Sequence, residues 1–208
     1  IIRGEGEWRM PRLLKDLMNN KIDLASDGLC GWYNGKMFIN FDQMRIEDIN
    51  SLPFPAYELL PLERYFSINV PFSPVPQGKR VLPVLTSRGC PIGCNFCAST
   101  NMYHKYIARS PDNVIQELIE LKKRYNIDEV QFVDDNLTLN RSRAVELFNK
   151  MRGLDLMWCT PNGTMINAIN EELIDLMYKS GLYQITLSID SANVKRLKNY
   201  KNKPVEVT

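Results

Sequence analysis

The hydrophobic pattern changes period several times along the chain. Ile1-Ile2-Arg3-Gly4-Glu5-Gly6-Glu7 reads as the end of an apolar strand running into a glycine-containing turn. Leu13, Leu14, Leu17 and Met18 then fall at helical spacing, with Pro11 suited to the first turn and Asn19-Asn20 to the end. Cys30 to Tyr33 and Lys36 to Phe41 flank Asn34-Gly35, a pairing that predicts a hairpin.

Residues 50–79 hold six of the twelve prolines. Such a stretch predicts neither a helix interior nor a central strand. It reads as an extended connector anchored by Phe54, Tyr57, Tyr65 and Phe66, which divides the chain into 1–49, 50–79 and 80–208.

After the connector the pattern alternates. Strands are expected at Val81 to Thr86, Val130 to Val133, Leu156 to Cys159 and Gln184 to Ile189. Between them lie helices begun by Ser110-Pro111, by the region near Arg141 and by Asn170, with Gly153 and Gly181 as stops. This is an α/β pattern with parallel pairing through crossovers. The last three strands recur about every 27 residues, a βα repeat length that suits a barrel. Four strands do not close a barrel and would leave apolar edges, so the expectation is half a barrel in a fragment of a longer protein.

Composition adds exclusions. Apolar residues at 44% and charged residues at 24% are those of a globular chain. A formal charge of +2 gives no electrostatic case for nucleic-acid binding. No run approaches the ~18 apolar residues of a membrane span, and no signal peptide opens the chain. Three of the five cysteines, Cys90, Cys94 and Cys97, fall within one short stretch, apart from Cys30 and Cys159. An odd, clustered set argues for a metal or cluster in a reducing compartment, and a cytoplasmic location is expected.

The three form C-x3-C-x2-C at the carboxyl end of the first strand of the alternating region, the end at which parallel α/β sheets build their sites. Three thiolates on one loop suit three irons of a cubane cluster, with Gly89 and Gly93 letting the backbone wrap closely. The fourth iron is then open to a small chelating ligand. A zinc site is the alternative, with Cys30 or Cys159 as fourth ligand, although zinc knuckles usually come in pairs.

Thr86 to Cys97, with Phe96 before the last cysteine, resembles the cluster loop of radical S-adenosylmethionine (SAM) enzymes, whose signature is C-x3-C-x-aromatic-C. Arg3 to Glu7, Leu52 to Tyr57 and Phe132 to Asn136 resemble the subclass that carries a cobalamin-binding domain. The resemblance implies a [4Fe-4S] cluster, SAM and cobalamin as cofactors. It also implies reductive cleavage of SAM to methionine and a 5′-deoxyadenosyl radical, serving methyl transfer or related C–H functionalisation. Residues 1–49 would be the tail of a Rossmann-like cobalamin domain plus the hairpin, and 80–208 the first half of the barrel.

Position by position, the resemblance puts Phe96 near the adenine and Asp134, Asp135 and Asn136 near the SAM amino group. Asn162 joins the pocket, Arg88 is offered to the SAM carboxylate, and Ser188, Asp190 and Ser191 are set toward the ribose. Gly4, Glu5 and Gly6 are set toward cobalamin. His104, the single histidine, reads as a surface or pocket residue and not a cobalt ligand. A small-molecule substrate and a reducing partner such as flavodoxin or ferredoxin are implied, without nucleic acid. The competing readings are a radical SAM methylthiotransferase, which needs a second cysteine triplet, and an iron–sulfur electron-transfer module, which needs a fourth cluster ligand.

Overall fold

The computed structural model describes residues 1–41, 45–73, 75–103, 105–193 and 195–197, without the side chains of residues 100 and 101. His104 lies outside the described residues. The chain divides into two compact units, Ile1–Leu52 and Pro53–Thr208.

In the first unit, helix α1 (Arg9–Met18) precedes a hairpin of β1 (Cys30–Tyr33) and β2 (Lys36–Ile39). The Asn34-Gly35 turn has positive φ at both residues (49° and 74°), as its tight reversal requires. The amino-terminal residues add a short antiparallel bridge, Ile2 to Leu29.

The second unit opens with the proline-rich segment, which departs from a purely extended connector. Pro61 is the N-cap of helix α2 (Leu62–Ile68), and Asn69 ends it in a left-handed conformation. The prolines flank this helix and so never interrupt its hydrogen bonds. Leu62, Phe66 and Tyr57 are buried in the core, whereas Tyr65 is exposed and anchors nothing.

Strands β3 (Val81–Val84), β6 (Glu129–Phe132), β7 (Met157–Met165) and β8 (Leu182–Ser188) form one parallel sheet in the order β3-β6-β7-β8. Between the first two lie β4 (Ser87–Arg88), helix α3 (Ser99–Met102), β5 (Ile107–Ala108) and helix α4 (Pro111–Tyr125). Helices α5 (Arg141–Met151) and α6 (Glu171–Lys179) complete the alternation. Ser110, Asn140 and Asn170 each accept a backbone N–H from the first turn of the helix that follows. Strand β7 extends well past Cys159, because register shifts around Pro161 accommodate a residue with no N–H to offer.

Alternation along the strands gives the sheet two unlike faces. Leu82, Val84, Val130, Phe132 and Trp158 pack with Val114 and Leu118 of α4, Leu147 and Phe148 of α5, and Leu173 and Met177 of α6. Trp158 is central: it stacks on Phe148 with ring centres 5.0 Å apart and meets Phe132 edge-on at 5.4 Å. Its indole N–H donates to Ser180 O at 3.1 Å. The other face is polar and also buried. Glu129 accepts from Gln77 N–H (2.8 Å), Gly78 N–H (2.7 Å), Gln131 Nε2 (3.0 Å) and Tyr183 OH (2.7 Å). With four donors on one carboxylate, this buried charge is well satisfied. Among the described residues no helix is long and apolar enough to cross a membrane.

Trp158→Ala removes the largest buried side chain and leaves Ser180 without its donor. Chemical denaturation is expected to show a loss of about 3–5 kcal/mol. Tyr65→Ala at the exposed connector position is expected to stay within about 0.5 kcal/mol.

Candidate metal centre

The cysteine loop is a closed structure built between two short strands. Past the end of β3, β4 pairs antiparallel with β5, Ser87 opposite Ala108 and Arg88 opposite Ile107, which brings the two ends of the loop together. Cys90, Cys94 and Cys97 all lie on it, the first two half-buried and the third exposed, outside any disulfide. The Cys97 N–H donates to Cys94 O at 3.0 Å, a turn that carries the chain between the last two cysteines. The Ser99 N–H donates to Cys97 Sγ at 3.5 Å. Gly89 has φ +80°, and a Cβ there would collide with the Lys105 carbonyl and reach Tyr103 Cβ at 3.0 Å. The loop's exit therefore crosses its entrance in a space that only glycine leaves free.

Two adjacent acids at the end of β6 fasten this loop. Asp134 is buried and accepts from Thr86 N–H (3.1 Å), Thr86 Oγ1 (2.7 Å) and Ser87 Oγ (2.5 Å). Burial pushes its carboxyl above the ordinary range, against the pull of the Ser87 and Thr86 donors and of Arg143. Asp135 Oδ2 accepts from Gly89 N–H (3.1 Å) and Ser99 Oγ (2.7 Å), one on each side of the cysteines.

Two arginines complete the frame. Arg143 donates to Arg109 O (2.7 Å) and Thr86 O (3.0 Å), while Arg109 donates to Leu85 O (3.1 Å) and pairs with buried Glu117 at 2.5 Å. Arg109, Arg143 and Glu117 were not singled out in the sequence. The available signal was Arg109 directly before the Ser110-Pro111 helix start.

The other expected residues fall into distinct places. Asn162 donates from Nδ2 to Val133 O (2.8 Å) and Asp134 O (3.2 Å), so its amide joins β7 to the end of β6. Asn136 is buried and its Nδ2 has no hydrogen-bond partner, leaving a donor available beside Asp135. Ser188, at the end of β8, occupies the space that a Cβ at Gly163 would fill. Asp190 is exposed with φ +56°, and Phe96 is 59% exposed on the cysteine loop. The structure thus ties Asp134, Asp135 and Asn162 to the cysteine loop or to each other by direct bonds.

In the first unit, Glu5 accepts from Ile46 N–H at 2.8 Å, and its carbonyl accepts from Arg9 at 2.7 Å. Arg9 also pairs with Asp27 at 2.5 Å, closing the turn. Gly4 has a left-handed φ of 70°, and a Cβ at Gly6 would face open space.

The donor set fits an iron–sulfur cluster: three thiols on one closed loop, outside any disulfide. Among the described residues no three His, Cys, Asp or Glu side chains are gathered closely enough to hold a single metal ion. Cys159 lies buried on β7 and burial pushes its thiol up, away from the thiolate a ligand needs.

Comparison with known proteins agrees with this chemistry. The chain is 39% identical over 161 residues to the cytidylyl-2-hydroxyethylphosphonate methyltransferase of Streptomyces wedmorensis, covering 77% of this chain and 30% of that protein. It is 34% identical over 200 residues to an uncharacterised methyltransferase of Pyrococcus horikoshii, covering 95% of this chain and 41% of that one. The chain thus spans well under half the length of these curated relatives. A solved structure of the radical S-adenosylmethionine methyltransferase TsrM from Kitasatospora setae, with cobalamin and a [4Fe-4S] cluster bound, superposes with a TM-score of 0.70 at 16% identity. That superposition covers 94% of this chain and 39% of TsrM. The Radical SAM superfamily model matches residues 84–208, from the last residue of β3 through the cysteine loop and the rest of the sheet. The chain belongs to the radical SAM superfamily.

Proposed function

We propose that this chain carries the cluster-binding part of an enzyme that cleaves SAM reductively and uses the resulting radical in cobalamin-linked methyl transfer or related C–H functionalisation. The observation that carries this reading is the closed loop holding Cys90, Cys94 and Cys97, fastened by Asp134 and Asp135 at the carboxyl end of a parallel sheet. When bound, a [4Fe-4S] cluster supplies the one electron that splits SAM into methionine and a 5′-deoxyadenosyl radical.

The chain's own residues have clear parts in this. Cys90, Cys94 and Cys97 would hold three irons, with the Ser99 N–H directed at the Cys97 sulfur. Asn136 offers a buried amide donor to SAM. The Asp134 carboxylate already accepts three hydrogen bonds from its own chain, so its part is to hold the end of β3 in place. Ser188 and Asp190 remain the ribose candidates at the end of β8, with Phe96 on the adenine side.

Methyl transfer is favoured because both curated relatives described above are named methyltransferases. Cobalamin is favoured by the TsrM fold, which binds it. On the same reading the sheet is part of a larger β/α barrel, since β3 and β8 both lie at sheet edges among the described residues. The first unit is the tail of a Rossmann-like cobalamin domain. The substrate is a small molecule, the electron donor is a reducing protein such as flavodoxin or ferredoxin, and the location is cytoplasmic.

Anaerobic reconstitution with iron and sulfide tests the ligand set. Cys94→Ala is expected to lose the cluster almost entirely, because two thiolates do not retain a cubane; full iron content in that variant would reject the assignment. With a chemical reductant and SAM, the full-length protein is expected to release 5′-deoxyadenosine and methionine. Intact SAM in the presence of a reduced cluster would favour an electron carrier.

A further inference from the structure

Asp135 bonds to both ends of the cysteine segment. Its Oδ2 accepts from the Gly89 N–H, immediately before Cys90, and from the Ser99 hydroxyl, two residues beyond Cys97. These bonds converge on a single oxygen carried by the loop after β6, on a different segment from the cysteines. The neighbouring Asp134 differs: its partners, Thr86 and Ser87, both lie ahead of the loop.

We infer that Asp135 is a positioning residue that clasps the mouth of the cysteine loop, setting the spacing of Cys90 and Cys97 before any iron arrives. The inference rests on the cluster reading above and revises one part of the sequence-based expectation, which set Asp135 toward the SAM amino group. The physical argument is one of order. Three thiolates on a free loop must lose conformational freedom as the cluster assembles, whereas a loop held at both ends has already lost part of it. The β4–β5 pairing closes the outer ends. Asp135 closes the inner ones, next to the ligands, and ties them to the sheet through β6. Gly89 is suited to this: its φ of +80° turns the N–H toward Asp135 where a side chain would strike Lys105.

The test compares the full chain with Asp135→Ala and Asp135→Asn. In the iron-free protein, amide hydrogen exchange at Gly89 is expected to rise about tenfold in Asp135→Ala, the loss of one charge-assisted hydrogen bond, with the global unfolding midpoint unchanged. Asp135→Asn keeps an acceptor oxygen and is expected to restore much of the protection. After reconstitution, Asp135→Ala is expected to lose iron to a chelator several-fold faster than the parent and to show a broadened electron paramagnetic resonance signal. Parent-like exchange at Gly89 together with parent-like iron retention would overturn the clasp. So would a variant that keeps its iron and line shape but loses SAM affinity, which would assign the carboxylate to SAM. If the parent itself binds no iron, the cluster reading fails, and the exchange comparison still decides whether the clasp exists.

Discussion

A loop that presents three thiols to a cluster must be closed, held and still reachable from solvent, and the rest of this structure follows from how the chain meets those demands. Closure is local, through four residues of antiparallel pairing between β4 and β5. Holding is not local. Asp134 and Asp135, brought alongside by the parallel pairing of β6 with β3, supply carboxylate acceptors to both the approach and the loop itself. Arg109 and Arg143 grip the carbonyls at the end of β3, and Arg109 is neutralised by Glu117 from α4. A buried charge that keeps a geometry is specific in what it holds, even where its net contribution to stability is modest.

The sheet beneath serves two environments. Its apolar face fills a helix-covered core around Trp158, and this fixes the strands that aim the loop. Its other face carries Glu129, Gln131 and Cys159, fully buried and roofed by Ser73, Gln77 and Gly78 of the proline-rich segment. The segment that looked like a linker thus also seals a polar surface of the sheet. Prolines suit that work: a backbone outside helix and sheet has N–H groups left to donate, and Glu129 and Gln131 accept them.

The order of strands and helices was legible because each helix carries its own start signal. Ser110-Pro111 and Asn170 cap where capping logic puts them, and Asn34-Gly35 turns as its sequence demands. The cysteine loop was legible for a related reason: ligand spacing is a local property. The connector helix was not, since its stability comes from burying Leu62 and Phe66 against distant residues and not from its own proline-flanked sequence. The division of labour between Asp134 and Asp135 was equally hidden. Two acids after a strand announce polar contacts, but only the pairing of β3 with β6 reveals that Asp134 holds the approach to the loop and Asp135 the loop itself. Arg109, Arg143 and Glu117 read as ordinary helix-flanking charges until folding brings them to one strand end.

The account stands on a cluster with three protein thiolates and one iron left for SAM. Electron paramagnetic resonance of the reduced, reconstituted protein, recorded with and without SAM, tests this most directly. A cubane signal whose g-values shift when SAM is added is the predicted result. A spectrum indifferent to SAM, or a preparation that takes up a single zinc in place of iron and sulfide, would contradict it.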